Sequence, residues 1–172
     1  KKNNIKKLDC PIVIMAGGQG KRLLPFTKVL PKPLIPVKNK TIIEHIIQSF
    51  LSRGAKNFYL TINYKSKILR SFFYELKPKY KVHFIEEKKP LGTAGAIFYL
   101  KKFINDNFIL TNSDIITKIN HSDLLKFHTK NKNDITLVAT SKNYKIPYGT
   151  LHLDPQNQLI KINEKPSFNF SI

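Results

Sequence analysis

Apolar residues along this chain switch between two periods. Cys10–Ala16 (CPIVIMA) is apolar nearly throughout, with Ile12, Val13 and Ile14 at its centre, the composition of a short strand covered on both faces. Thr41 opens a helix. Glu44, three residues on, completes a capping box; Ile42, Ile43, Ile46, Ile47, Phe50 and Leu51 share one face, and Gly54 ends the element. Lys56–Asn63 reads as a second strand, Ser66–Leu76 as a helix and Lys81–Glu86 as a third strand. A helix carrying Ala96, Ile97, Tyr99 and Leu100 comes next, then a strand at Asn107–Thr111. A helix from His121 to about Asn131 turns Leu124, Leu125 and Phe127 or His128 inward, and Asp134–Thr140 reads as another strand. Thr150–Leu153 and Leu159–Lys165 are short strands around a turn at Asp154–Asn157, and the alternating Phe168–Ile172 looks like a strand cut short. Strand and helix alternate, so the expected fold is α/β with a largely parallel sheet.

The 172 residues, 41% of them hydrophobic, are enough for one domain with a real core, expected over 9–172. Residues 1–8 (KKNNIKKL) read as a basic tail or the end of an upstream linker, and a chain that begins with Lys reads as a piece of something longer. The single cysteine, Cys10, lies in the first predicted strand, which excludes a disulfide within the chain and points to a cytoplasmic protein. No apolar run approaches the roughly 20 residues that cross a bilayer, and no signal-peptide pattern opens the chain, so no membrane partner is expected.

A net charge of +19 raises nucleic-acid binding as a function class. The 30 basic residues, however, are spread along the whole chain with no Arg-rich cluster, so loose association with polyanions at low salt is expected rather than specific recognition. His45, His83, His121, His128 and His152 show no metal-ligand spacing and are read as structural or surface residues.

Candidate chemistry concentrates after the first strand. The pair Gly17-Gly18 lets the backbone turn with its N–H groups bare. The next segment is cationic and proline-rich: Lys21, Arg22, Lys28 and Lys32 surround Gly20, Pro25, Pro31, Pro33 and Pro36. The prolines forbid a regular helix and predict a stiff, extended loop at the carboxyl end of a strand, where open α/β sheets bind ligands. Bare amides with fixed positive charge suit a polyphosphate. Two commoner phosphate loops fail on spacing. Met15 and Arg22 stand where a nucleotide P-loop needs Gly and Ser or Thr, and Leu23 stands where the dinucleotide fingerprint needs its third glycine.

The run closely resembles the signature of the sugar-phosphate nucleotidyltransferases, G-G-x-G-T-R-L-x-P-x-T followed by P-K-P-L-x-P-V. Gly17, Gly18, Gly20, Arg22, Leu23, Pro25 and Thr27 match the first half, and Pro31, Lys32, Pro33, Leu34, Pro36 and Val37 the second; Lys21 replaces the usual Thr. The resemblance extends through five motifs in order, from Ile12 to Pro166. Leu91–Gly95 (LGTAG) looks most like the loop that mannose- or heptose-phosphate guanylyltransferases use for the base. Asn112-Ser113-Asp114 stands at the family's G-D, with Ser113 for Gly, and Tyr148-Gly149 and Glu164-Lys165-Pro166 match its Y-G and E-K-P.

The resemblance implies a Rossmann-like open sheet with helices on both faces, here lacking its C-terminal part, and transfer of a nucleoside monophosphate, GMP favoured, from a triphosphate to a sugar 1-phosphate. It implies nucleotide contacts at Ala16, Gly17, Gly18, Gly20, Lys21, Leu91, Gly92, Thr93 and Gly95, and sugar-phosphate contacts at Gly149, Glu164 and Lys165. Arg22, with the amides of Gly18 and Gly20, is expected on the leaving pyrophosphate, Lys32 near the α-phosphorus, Lys165 on the attacking phosphate and Asp114 on Mg2+. The family's second metal-binding Asp comes from a later strand, so this piece is expected to be weakly active or inactive alone. An upstream regulatory domain and a homo-oligomer stay open, as do two other readings: a catalytically silent nucleotide-binding module and a basic nucleic-acid binder.

Overall fold

A parallel sheet of four strands organises the first part of the chain. The structure is a computed structural model that describes residues 8–87, 92 and 95–172, and it divides into two units, residues 1–129 and 130–172. The first unit runs β1 (Ile12–Met15), β2 (Pro36–Val37), β3 (Lys40–Thr41), α1 (Ile42–Leu51), β4 (Asn57–Ile62), α2 (Ser66–Leu76), β5 (Lys81–Glu86), α3 (Ile97–Leu100), β6 (Ile109–Asn112) and α4 (His121–Lys130). The sheet order is β5-β4-β1-β6, with β1 parallel to both neighbours; Ile12 pairs with Phe58 on one side and Ile109 on the other. All four strands therefore deliver their carboxyl ends to one edge.

The side-chain period of two splits the core between the faces of this sheet. Ile12, Ile14, Phe58, Leu60 and Ile62 pack on one face with Ile43, Ile46, Ile47 and Phe50 of α1 and Leu69 and Phe73 of α2, while Val13 packs on the other with Ile85, Leu100 and Ile104. Ile12, Val13 and Ile14 are all fully buried, as an apolar strand covered on both faces requires. Helices accordingly flank both faces of a mostly parallel sheet. The capping box of α1 is closed in both directions, Glu44 N–H donating to Thr41 Oγ1 at 3.3 Å and Thr41 N–H to Glu44 Oε2 at 2.8 Å. Each of the four buried side chains of α1 contributes about 1.5–3 kcal/mol through area removed from water, so the apolar face outweighs the cap.

In the second unit, β7 (Ser141–Lys145) pairs antiparallel with β10 (Ser167–Ser171), and β8 (Thr150–Leu153) with β9 (Leu159–Asn163). The turn between β8 and β9 is fixed by Asp154, whose Oδ1 accepts from the amides of Gln156 and Gln158 at 2.9 and 2.8 Å.

Three expectations are corrected. The strand expected at Asp134–Thr140 does not form; the strand begins at Ser141, and Ile135 and Leu137 are 76% and 84% exposed. β-prone residues become a strand only beside a partner, and the C-terminal partner β10 pairs with 141–145 instead. The proline-rich loop is turned rather than extended, with 3-10 turns at Lys21–Leu23, Phe26–Lys28 and Lys32–Leu34. Pro33 lies within the first two positions of the last of these, where its fixed φ is already helical and its missing N–H costs nothing. In α4 the buried residues are His121 and Ser122 at its start, while Leu124, Leu125 and His128 are half-buried and Phe127 is exposed. Leu8, grouped with the basic tail, is buried and its amide donates to Arg53 O at 2.8 Å.

Candidate active site

The carboxyl ends of the sheet present, in spatial order β5-β4-β1-β6, Glu87, Asn63, Gly17 and Asn112–Asp114. These groups are tied to each other across the strands. Ala16 is buried and its amide donates to Thr61 O at 2.8 Å; Glu87 N–H donates to Ile62 O at 2.9 Å; Asn63 Nδ2 donates to Glu87 O at 2.6 Å; Ser113 N–H donates to Met15 O at 3.1 Å. The edge is thus pre-formed by backbone bonds that prolong the sheet.

Two glycines show how closely the loop beginning at this edge is packed. A Cβ on Gly17 would stand 3.0 Å from Glu87 Oε1 and 3.3 Å from Asn63 Cβ. At Gly20 the backbone is left-handed (φ +64) and a Cβ would meet Thr27 Cγ2 at 2.8 Å and Lys32 Cβ at 3.1 Å. Gly20 is where the loop folds back on itself, and buried Thr27 closes the fold by donating from Oγ1 to Gly20 O at 3.2 Å. Gly18 is exposed, and nothing lies within 4 Å of a Cβ placed there.

Of the expected cationic set, Lys21 and Arg22 are exposed on the first 3-10 turn. Lys32 is more enclosed, its side chain 19% exposed, and its Nζ pairs with Asp114 Oδ2. The structure therefore brings together two residues assigned to the triphosphate and to the metal. Asp114 lies just past β6, its side chain 33% exposed, and its second carboxylate oxygen has no partner among the described residues. Gly92 adopts φ +81 and is exposed, and Gly95 accepts from Phe98 N–H at 3.1 Å at the start of α3; Leu91 and Thr93 lie outside the described residues. In the second unit Gly149 and Glu164 meet across the β8–β9 hairpin, a Cβ on Gly149 standing 3.1 Å from Glu164 Oε2. Lys165, with φ 45, keeps Nζ 3.9 Å from Glu164 Oε1, and both side chains are exposed.

The structure adds residues that the motifs did not single out. Glu87 is 9% exposed, a buried carboxylate facing Gly17, and its side chain has no partner among the described residues. Its sequence signal was present but thin: an acidic residue directly after a predicted strand, five before Gly92. Asn63, Tyr64 and Lys65 form the turn after β4 that supports the glycine loop. Cys10 packs against the core, and His121 is buried. Burial pushes the Cys10 thiol up to about 11, with Asp9 adding to the effect, so it stays protonated. His121 packs on Phe50, ring centroids 4.1 Å apart, with its Nδ1 buried and without a hydrogen-bond partner among the described residues, and burial lowers its pKa below the ordinary value. Among the described residues no cluster of three or more His, Cys, Asp or Glu forms a ready metal cage, and no helix is long and apolar enough to cross a membrane.

Residues 12–171 match the family model described as nucleotidyl transferase. Among curated relatives, a mannose-1-phosphate guanyltransferase of Yarrowia lipolytica is 34% identical over 160 residues, covering 90% of this chain and 44% of the relative. The mannose-1-phosphate guanylyltransferase catalytic subunit beta of Dictyostelium discoideum is 34% identical over 159 residues with the same coverage. The chain thus spans less than half the length of these relatives. Among solved structures, HddC from Yersinia pseudotuberculosis complexed with GMP-PN superposes with a TM-score of 0.63 at 25% identity, covering 95% of this chain and 73% of that one. A glucose-1-phosphate thymidylyltransferase structure from Bacillus anthracis, titled putative, shares the fold with a TM-score of 0.62 at 21% identity, covering 91% and 65%.

Proposed function

The chain belongs to the nucleotidyl transferase family, and from that premise we propose that it carries the nucleotide half of a sugar-1-phosphate nucleotidyltransferase, with a guanine nucleotide as donor. The observation that carries the reading is the Lys32–Asp114 pair at the carboxyl edge of the sheet, beside a glycine loop that is tightly packed at Gly17 and would clash with a Cβ at Gly20.

In the proposed reaction an oxygen of the sugar 1-phosphate bonds to the α-phosphorus of the triphosphate. The bond from that phosphorus to the β-bridging oxygen breaks, and pyrophosphate leaves with the electron pair. No covalent intermediate on the protein is required, so the work is to hold two anions together and to meet charge as it moves onto the leaving group. Arg22 and the amides of Gly18 and Gly20 would take the pyrophosphate, Lys32 the region of the α-phosphorus, and Lys165 the sugar phosphate, with Gly149 and Glu164 on the sugar.

Asp114 fits a magnesium ion: a hard carboxylate, accessible, with one oxygen held by Lys32 and the other unpartnered among the described residues. Mg2+ bound there would supply charge neutralisation on the phosphates, water and substrate filling its remaining positions. Lys32, as its counter-ion, would keep the carboxylate aimed along the edge before substrate arrives.

Support for guanine comes from Glu87. Guanine presents two N–H donors side by side, and a buried carboxylate without protein partners among the described residues is their complement, whereas adenine offers one donor and one acceptor there. The guanylyltransferase names of the relatives point the same way. The whole protein would act in the cytoplasm. The test is a pyrophosphate-release assay on the full-length protein, each triphosphate against a panel of sugar 1-phosphates with magnesium present. Release dependent on both a triphosphate and a sugar 1-phosphate is expected; tight, salt-steep oligonucleotide binding with no such release would refute the reading.

A further inference from the structure

The turn after β4 carries a lysine where local chemistry disfavours one. Lys65 adopts the left-handed region (φ 54, ψ 35) at the N-terminal boundary of α2, with no side-chain cap. A residue with a Cβ is strained there, and an ammonium is misplaced at a helix N-terminus, where the dipole favours anions. Tertiary contacts offset both. Lys65 Nζ donates to Lys28 O and, at 3.0 Å, to Val29 O, the carbonyls at the end of the Phe26–Lys28 turn. Tyr64 beside it donates from its hydroxyl to Thr27 O at 3.1 Å and from its amide to Gly17 O at 3.4 Å, and its ring lies 5.5 Å from the Lys65 ammonium.

Three consecutive carbonyls of the signature loop, 27 to 29, are thus held by side chains 36 or 37 residues away in sequence. Thr27 passes that restraint to the glycine turn through its bond to Gly20 O. We propose that Lys65, assisted by Tyr64, is a positioning residue for the reaction. It locks the turn that separates Arg22 from Lys32 and so sets the spacing of the two cations offered to the triphosphate. Lys65 touches no reacting atom; its ammonium is spent on backbone carbonyls. The inference rests on the reading under Proposed function for its catalytic part alone.

The test compares Lys65→Gly, Lys65→Met and Lys65→Arg in the full-length protein. Glycine accepts a φ of +54 freely, so Lys65→Gly relieves the backbone while deleting the clamp. In Lys65→Gly and Lys65→Met, amides of residues 26–30 are expected to exchange about tenfold faster or more. The kcat for pyrophosphate release is expected to fall roughly tenfold or more, with KM for the sugar phosphate within about twofold. The unfolding midpoint of Lys65→Gly should not fall below that of the parent, and Lys65→Arg should retain slow exchange and most of the turnover. Unchanged exchange at 26–30 in Lys65→Gly would overturn the proposal, and so would a turnover loss matched by a lowered midpoint in that variant. Exchange needs no catalysis. A parent protein that releases no pyrophosphate therefore sinks the functional reading, while exchange still decides whether Lys65 holds the loop.

Discussion

Lys32 and Asp114, 82 residues apart in sequence, meet as an ion pair at the carboxyl edge of the sheet. One arrives on the third 3-10 turn of the signature loop, the other on the residue pair after β6; β1 and β6 are adjacent, and the fold-back of the loop at Gly20 returns Lys32 to their common edge.

Because the pair is proposed to act on the same phosphates, its members should not contribute independently. Asp114→Asn and Lys32→Met are each expected to lower kcat for pyrophosphate release in the full-length protein by about 10²–10³, the scale of one lost preorganised charge. The double variant should fall well short of the product of the two losses. Steady-state kinetics on the three variants checks this, and strictly multiplicative losses would show that the ion pair is incidental.

The glycines of the loop should differ sharply under alanine substitution. Gly20→Ala meets a left-handed backbone and two contacts near 3 Å, so it is expected to cost roughly 1–3 kcal/mol of local strain and to lower turnover severely. Gly18→Ala meets no protein atom within 4 Å, so its unfolding free energy should stay within about 0.5 kcal/mol of the parent's, and any loss of turnover would report on the proposed pyrophosphate contact alone. Turnover assays with urea unfolding separate the two effects.

Glu87→Gln tests base selection. The amide replaces an acceptor pair by one acceptor and one donor, a better match to adenine than to guanine. The ratio of kcat/KM for GTP over ATP is expected to fall by about 10–100-fold, within the range that one mismatched polar contact supplies. An unchanged ratio would remove Glu87 from the base site.

His121 should make the fold sensitive to mild acid. Burial first, and the charge of Arg53 second, lower its pKa from the ordinary 6.5, so as pH falls through that value the unfolded chain takes up a proton that the folded chain does not. This contribution to stability is complete above the unfolded value and declines below it, until the lower folded value is passed. Urea midpoints tracked from about pH 7.5 to about pH 5.5 should drop in the parent and drop less steeply in His121→Gln.

Much of this molecule was legible in its sequence. The helix Ser66–Leu76 and the strands Lys81–Glu86 and Thr150–Leu153 stand where the hydrophobic pattern puts them, because local period and caps decide such elements. The Thr41–Glu44 box and the glycine-proline signature were likewise readable, since each depends on residues a few positions apart. Asp134–Thr140 shows the limit: the pattern expressed a preference for strand, but pairing is settled between distant segments, and β10 pairs with 141–145.

The chain's order of residues by itself determined which segments would be helix or strand, that a glycine loop with cations would come after β1, and which family those motifs belong to. Only the tertiary structure decided that Lys32 would face Asp114, that Glu87 would stand over Gly17, and that Lys65 would abandon its own helix end to hold the carbonyls of a loop 36 or 37 residues away. The reason is one of range. Backbone propensity and side-chain period act over a single turn or pleat, whereas these contacts exist only once parallel strands have set four chain segments side by side at a common edge.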